Sequence, residues 1–252
     1  MEIRAGTSGY SYKEWLGSFY PAKLPASEML SFYAGLLPAV EINNTFYRLP
    51  KPSVVESWGA QVPPSFRFAV KASQRITHRK RLKEAAEETA YLLRTIATLG
   101  EKLGVLLFQL PPNMRLDRDR LAAFLDLLPE GTKAAFEFRH PSWRDASTAD
   151  LLRARDFALV VADTDDEPAD EIAAVARWGY LRLRRADYDA AAIAAWAERI
   201  ARQPWSEAFV FFKHEDEARG ARFATEFLAL TRRSGESVSA GAAAPPPSDP
   251  ST

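Results

Sequence analysis

Several apolar, β-prone runs of this sequence end in charged or amide side chains. These groups are Glu41, Asn43, Lys71, Gln109, Glu137, Arg139, Asp163, Arg182, Arg184, Lys213 and His214. Carboxylates and cations that are partly removed from water must be paired or hydrogen-bonded, and their pKa values shift. Shifted pKa values suit acid–base catalysis or the capture of an ionic ligand. We therefore predict a catalytic site with four reacting groups, Glu41, Lys71, Glu137 and Asp163.

The spacing of these residues indicates that many of them face the same way. On a strand, side chains two positions apart point to one face of the sheet. Three pairs have that spacing: Glu41 with Asn43, Glu137 with Arg139, and Arg182 with Arg184. The alternative is a structural ion-pair network that closes the top of the core. In that network the carboxylates of Glu41, Glu137 and Asp163 only neutralise the cations of Lys71, Arg139 and Arg182.

Lys71 admits two interpretations of its own. A desolvated lysine near other cations has a lowered pKa and becomes a nucleophile that can form a Schiff base. Pairing of Lys71 with Glu41 or Glu137 is the simpler interpretation and the favoured one. Both stay open at this level.

A site of this kind requires a framework that gathers the ends of strands. The apolar runs number eight, at residues 3–5, 39–43, 67–71, 105–109, 135–139, 158–163, 180–184 and 209–213. Helical patterns lie between them, for example at residues 84–99 and 190–201, where apolar residues recur on one face. We expect helices to start at residues whose side chains can cap backbone N–H groups, namely Ser27, Ser53, Thr148 and Asp189.

This alternation predicts an α/β fold, a single TIM-type (β/α)8 barrel of parallel strands with right-handed crossovers. In such a barrel the C-terminal ends of the strands form the active site, so the polar run ends would meet there. An open doubly wound sheet is disfavoured because Gly6 and Gly9 do not form a glycine-rich phosphate turn. The 252 residues suit one barrel domain at 1–233 and a disordered Ser/Gly/Ala/Pro tail at 234–252.

The overall composition narrows the class of protein. Lys and Arg together number 33, as do Asp and Glu, so no global positive field would gather nucleic acid or bind an anionic membrane. Without cysteine, the chain has no disulfide, thiolate metal site or cysteine nucleophile. No signal-like apolar run begins the chain, and no stretch approaches the roughly 20 apolar residues needed to span a bilayer, so we expect a cytoplasmic protein.

The three histidines raise the question of a metal ion. His78, His140 and His214 could join the carboxylates of the site as ligands. The cations of the same site would repel a divalent ion, and no His-x-His or His-Glu-x-x-His spacing occurs. We therefore predict neither a metal nor a cofactor, with a divalent metal as the less favoured alternative. His78 follows the third run on a loop that could reach a substrate.

Aromatic residues crowd the loops after the first two runs, and Tyr10 is among them. Loop aromatics can stack on a sugar or a base, and together with the basic run at residues 78–81 they keep nucleic-acid binding open as a less favoured interpretation. Packing of the loops against one another is the simpler explanation for most of these rings.

The order of the motifs resembles the YecE-like proteins, the family called domain of unknown function 72. The resemblance rests on residues 6–12 (GTSGYSY), 41–48 (EINNTFYR), 68–72 (FAVKA), 108–112 (FQLPP), 137–143 (EFRHPSW) and 180–182 (YLR). It implies a TIM-type barrel and no established activity. The chain departs from the pattern that this resemblance implies at two places. Arg184-Arg185 occupies the position of a His-Gly pair in many members. Residues 213–216 (KHED) replace the often asparagine-rich end of the eighth strand. Tyr188 looks like the tyrosine that follows the seventh strand in relatives.

We expect an enzyme that acts on a small anionic or polyhydroxyl substrate by acid–base chemistry, of the hydrolase, lyase or isomerase type. The predicted substrate-binding residues are Tyr10, Asn43, His78, Gln109, Arg139, Arg182, Arg184, Tyr188, Lys213 and His214. The alternative is a non-catalytic module that binds a nucleotide, a phosphate or nucleic acid. The oligomeric state stays open.

Overall fold

Eight parallel strands form the framework of the protein. The computed structural model describes residues 1–169, 171–213 and 216–240. The strands are β1 (Glu2–Ser8), β2 (Ala39–Ile42), β3 (Arg67–Lys71), β4 (Leu103–Gln109), β5 (Ala134–Glu137), β6 (Ala158–Asp163), β7 (Trp178–Leu183) and β8 (Glu207–Phe212). Each of the eight predicted apolar runs overlaps one of these strands.

The strands close into a barrel because β1 pairs with both β2 and β8. Every neighbouring pair is parallel, so the C-terminal ends of all eight strands open at the same end, which we call the mouth. The pairing of β3 with β4 contains one irregularity, at Gly104. A Cβ there would lie 3.0 Å from the Phe209 ring and 3.1 Å from the Arg67 Cβ, so any larger residue would require these neighbours to shift.

Helices cover the outside of the barrel. They are α1 (Met29–Leu36), α2 (Pro52–Ala60), α3 (Ala86–Ile96), α4 (Arg118–Leu125), α5 (Ala146–Arg153), α6 (Ala190–Ala201) and α7 (Arg219–Ala240). The connection from β6 to β7 contains no helix in its described residues, 164–169 and 171–177. The predicted TIM-type barrel is confirmed, with this one interruption of the strand and helix alternation.

The interior of the barrel is filled by large side chains from two strands, by Val105 and Leu107 of β4, and by alanines from four other strands. The large side chains are Trp178 and Tyr180 on β7, and Phe209 and Phe211 on β8. The small side chains are Ala39, Ala69, Ala135 and Ala158. Matching large rings with alanines keeps the packing dense, so the barrel below the mouth is a solid core.

Three of the four predicted helix caps are wrong, and one is confirmed. Asp189 caps α6 as predicted, by accepting a backbone hydrogen bond at 2.7 Å. Ser27 precedes α1 within a short 3₁₀ turn, Ser53 lies inside α2, and Thr148 lies inside α5, which Asp145 caps instead. A residue's ability to cap says nothing about where the first helical turn begins, and that position is set by packing.

The last helix continues to Ala240, into the segment predicted to be a tail, and residues 241–252 lie outside the described residues. Among the described residues, no helix has the length and apolar character needed to cross a membrane.

Candidate functional site

A buried ion-pair triad stands at the mouth of the barrel. Glu41, Glu137 and Arg182 lie near the ends of β2, β5 and β7 and are at most 4% exposed. Arg182 donates from Nε to Glu41 Oε2 at 2.9 Å and from Nη2 to Glu41 Oε1 at 2.8 Å. Its Nη1 donates to Glu137 Oε2 at 2.6 Å. One guanidinium thus fixes two carboxylates in a single geometry.

Glu41 accepts further hydrogen bonds that complete its coordination. The Ser8 hydroxyl donates at 2.8 Å, the Asn43 amide at 2.9 Å and the Tyr180 hydroxyl at 2.8 Å. Burial would raise the pKa of Glu41, but the charge and hydrogen bonds of Arg182, then the charge of Arg184 and the Asn43 amide, lower that pKa to about 2. A carboxylate with so low a pKa is a poor proton acceptor near neutral pH.

Glu137 is held in the same way. It accepts from Gln109 Nε2 at 2.8 Å and from Arg139 Nε at 3.0 Å, in addition to Arg182. Burial opposes ionisation, yet the charges of Arg182 and Arg139 lower the pKa of Glu137 to about 2. Both glutamates therefore position Arg182. The triad thus has the form of the ion-pair network that was the alternative interpretation of the sequence.

Lys71 stands outside that network. Its Nζ donates to Gln109 Oε1 at 2.8 Å and lies 4.2 Å from the centre of the Phe46 ring. In the described part of the chain, no carboxylate lies within ion-pair distance of Nζ, so the favoured pairing of Lys71 with a glutamate is wrong. Burial, and then the charge of Arg182, lower the pKa of Lys71 to about 8.

Gln109 links Lys71 to the triad. Its Nε2 donates to Glu137, so its carbonyl oxygen must face Lys71. The orientation of the amide is thereby set by a carboxylate that stays ionised. This arrangement presents a neutral acceptor to the lysine.

Two further cations face the mouth. The Arg139 side chain is 43% exposed and uses Nε for Glu137, which leaves the end of its guanidinium toward solvent. Within the described residues, no hydrogen bond or ion pair engages the half-buried Arg184 side chain. Burial, with the charge of Arg182, lowers the pKa of Arg184. Two carboxylates thus face Lys71 and three arginines, so this group of side chains carries excess positive charge.

Two polar groups of the predicted site lie beside these charges. Asn43 Oδ1 is buried and has no hydrogen-bond partner among the described residues, although its amide nitrogen is bound to Glu41. His78 Nδ1 lies 2.9 Å from the Thr77 hydroxyl. Burial and the charge of Lys71 lower the pKa of His78, so its ring is neutral at neutral pH.

Asp163 and Tyr188, which were also predicted as site residues, bond to each other and not to the triad. Asp163 accepts from the Tyr188 hydroxyl at 2.8 Å and from Arg185 Nη2 at 2.9 Å. Ala158 and Val160 point into the barrel from β6. Asp163 is an odd number of residues away from both along the strand, so its side chain lies on the opposite face and points outward.

Three predicted residues remain, and two of them have described contacts of their own. Tyr10 packs against Tyr33, with 6.3 Å between ring centres. Lys213 directly follows β8, and its backbone N–H donates to Leu183 at 3.0 Å. His214 lies outside the described residues.

Comparison with known proteins adds a family to this geometry. The family model described as protein of unknown function DUF72 matches residues 4–249. The chain belongs to the DUF72 family. The resemblance inferred from the motifs is confirmed.

Curated relatives of this DUF72 chain cover part of it. It is 34% identical to UPF0759 protein YecE of Escherichia coli K12 over 115 residues, which are 45% of the chain and 42% of the relative. It is 29% identical to UPF0759 protein YunF of Bacillus subtilis 168 over 134 residues, which are 50% of the chain and 48% of the relative. The matched region thus spans about half the length of each relative.

Solved structures of DUF72 family proteins share the whole fold. The crystal structure of one from Thermotoga maritima MSB8 superposes with a TM-score of 0.79 at 26% identity, covering 92% of this chain and all of that one. Another, from Enterococcus faecalis V583, has a TM-score of 0.75 at 20% identity, covering 91% of this chain and 95% of that one, and shows the fold alone.

The DUF72 site contains residues that the sequence reasoning missed. Ser8 was overlooked because β1 extends three residues beyond the predicted run. Tyr180 precedes Arg182 by two positions on the same strand, so its shared face was a usable signal. Phe46 and Arg185, the neighbours of Lys71 and Asp163, follow strand ends in loops and gave no periodic signal.

In the described part of the chain, no three side chains of His, Asp or Glu gather as metal ligands. The oxygens of Glu41 and Glu137 are committed to Arg182, and His140 Nδ1 lies 2.9 Å from the Ser142 hydroxyl. The arrangement can instead bind an anion and exchange a proton through Lys71.

Proposed function

We propose that the protein is an enzyme that binds a small anionic or polyhydroxyl substrate at the mouth and acts on it by acid–base chemistry. Lys71 is the group that exchanges the proton. The observation that carries this proposal is the hydrogen bond from Lys71 to a neutral carbonyl, Gln109 Oε1, while both glutamates are committed to Arg182.

The charges at the mouth support an anionic substrate. The Arg184 side chain has no hydrogen bond or ion pair in the described residues, and the outer nitrogens of Arg139 face solvent. A guanidinium binds carboxylate or phosphate oxygens through two parallel hydrogen bonds. The buried Asn43 Oδ1 would accept a hydrogen bond from a substrate hydroxyl, which supports the polyhydroxyl character.

The state of Lys71 supports proton transfer. A general acid or base works best when its pKa lies near the working pH, because both protonation states are then present. The pKa of Lys71 is lowered to about 8 by burial and by Arg182. The neutral His78 ring lies close enough for Lys71 to lower its pKa, and it provides a second group for proton exchange.

Binding of inorganic phosphate tests the anion site. We expect phosphate to raise the thermal unfolding midpoint of the wild-type protein and Arg184→Ala to weaken phosphate binding about tenfold or more. Arg202→Ala is the matched control, because Arg202 is exposed and pairs with Glu198 on α6. Equal phosphate binding by wild type, Arg184→Ala and Arg202→Ala would contradict the proposal.

Turnover is tested with a small-molecule extract of Escherichia coli cells. Incubation with the wild-type protein should change the masses of specific compounds, and Lys71→Met should leave them unchanged. Identical changes with both proteins would exclude Lys71 as the reacting group.

A non-catalytic phosphate-binding module is the second candidate. The excess positive charge at the mouth favours it independently of Lys71. It predicts phosphate binding that weakens with added salt, together with an extract that the wild-type protein leaves unchanged.

A further inference from the structure

The Lys71 amine can lose a proton without losing its partner. An ammonium group has three donors, and in the described residues one of them is used, for Gln109 Oε1 at 2.8 Å. A lysine paired with a carboxylate would lose its ion pair on deprotonation. Lys71 instead keeps its hydrogen bond to the amide carbonyl as a neutral amine, and its lone pair becomes available for attack.

The surroundings of Lys71 favour the neutral amine. The side chain is 9% exposed, and this burial disfavours the ammonium by more than the cation–π contact with the Phe46 ring, 4.2 Å from Nζ, favours it. The nearby charge of Arg182 opposes a second positive charge in the same place. Desolvation beside another cation is the usual way in which proteins activate a lysine as a nucleophile.

We infer that Lys71 forms a Schiff base with a carbonyl compound that also carries an anionic group. This inference rests on the proposed function, because it assigns covalent chemistry to the same anion-binding mouth. Arg139 and Arg184 would hold the carboxylate or phosphate of that compound. The class comprises 2-oxo acids and phosphorylated aldoses or ketoses.

The reaction balances without a further reagent. The ammonium of Lys71 gives up one proton, and its nitrogen attacks the carbonyl carbon to form a carbinolamine. The carbon–oxygen bond then breaks, and the departing hydroxyl takes that proton and leaves as water. The product is an iminium ion, so the positive charge of Lys71 is retained and the balance of charges around the triad is unchanged. An iminium draws electrons from the neighbouring carbon, which is the step that lyases and isomerases of this kind exploit.

Reductive trapping tests the inference. The protein is incubated with borohydride and one of two anionic probes, pyruvate or dihydroxyacetone phosphate, and then digested and mapped by mass spectrometry. Hydride adds to the iminium carbon and leaves a stable secondary amine. We expect the mass of the reduced adduct on Lys71. Labelling by pyruvate would indicate a carboxylate substrate, and labelling by dihydroxyacetone phosphate would indicate a phosphorylated one.

Matched controls come from the chain and from the probes. Lys102 is partly buried and donates to the carbonyl oxygens of Gly59 and Val62, so it should stay unmodified in the same digest. Dihydroxyacetone and acetone lack the anionic group, so their yield of adduct on Lys71 should be lower by about tenfold or more. Lys71→Arg should abolish the adduct.

The outcomes separate this inference from the proposed function. If phosphate binds through Arg184 while no adduct forms on Lys71, the Schiff base is excluded, and the extract experiment then decides between acid–base catalysis and the phosphate-binding module. Equal labelling of Lys71 and Lys102 would also overturn the inference. If phosphate does not bind and no adduct forms, both proposals fail.

Discussion

Arg182 carries the electrostatic balance of the site. Its guanidinium binds both oxygens of Glu41 and one of Glu137 while all three side chains are buried. Breaking a buried ion pair is costly because the remaining charge keeps its desolvation penalty without its partner. Arg182 therefore stabilises two carboxylates that could not otherwise stay ionised in this place.

Arg182→Met should lower the free energy of unfolding by about 3–5 kcal/mol at pH 7. In the wild type, the pKa of both glutamates is about 2, below the ordinary 4.5, so their stabilising effect is present above pH 4.5 and is lost as the pH falls toward 2. In the variant, burial raises these pKa values, and protonation relieves the destabilisation as the pH falls. Urea unfolding should therefore show a smaller difference between the two proteins at pH 5 than at pH 7. A difference that is independent of pH would contradict this account of the triad.

At the scale of the strands, sequence alternation identified most of the site. Glu41, Glu137 and Arg182 were recognisable because a charged residue ends a strongly apolar run. Asp163 ends such a run too, but β6 reads Ala-Leu-Val-Val-Ala-Asp and is apolar on both faces. In a strand covered on both sides, the pattern does not reveal which residues point inward.

The partner of Lys71 was beyond sequence reasoning for a different reason. Lys71 and Gln109 end the adjacent strands β3 and β4, and the irregularity at Gly104 sets their relative register. From the sequence, Glu41, Glu137 and Gln109 could each accept a hydrogen bond from Lys71 Nζ. Only the packed geometry selects Gln109. The eight strands, in contrast, followed directly from apolar runs of ordinary length.

The close contact of β1 with β2 can be tested at a glycine. A Cβ at Gly6 would lie 1.8 Å from the Ala39 carbonyl oxygen, which belongs to the backbone and cannot turn aside. Gly6→Ala should therefore cost about 3 kcal/mol or more. Gly35→Ala in α1 is the control, because nothing lies within 4 Å of the added carbon, and it should stabilise the protein by about 0.5–1 kcal/mol. Thermal unfolding measures both; similar effects at the two positions would contradict this packing.

At the scale of the whole molecule, the two ends of the barrel differ in how their charges are satisfied. At the N-terminal end, Glu207 accepts from Arg4 Nε at 2.7 Å and from Lys133. A cavity of about 1150 Å³ opens beside Lys133, and the cations that line it have carboxylate partners. Around the triad, the described residues contain Lys71 and three arginines against two glutamates, which agrees with the division of barrels into a stabilising end and a reactive end.

This division predicts opposite behaviour for two variants. Glu207→Gln should lower the free energy of unfolding by about 1.5–3 kcal/mol, because it weakens charged hydrogen bonds, and should leave phosphate binding unchanged. Arg184→Ala should reduce phosphate binding and change stability by about 0.5 kcal/mol or less. Urea unfolding and phosphate titration of both variants provide the measurement. Loss of phosphate binding in Glu207→Gln would contradict the separation of the two ends.

The ionisation of Lys71 is the property on which the account depends most. It can be followed through the Cε resonance in protein labelled with carbon-13 lysine, assigned by its disappearance in Lys71→Arg. We expect a midpoint near pH 8 in the folded protein and near the ordinary 10.5 in urea. A midpoint near 10.5 in the folded protein would contradict it, because Lys71 would then be a permanently charged side chain with no means of exchanging a proton or attacking a carbonyl at neutral pH.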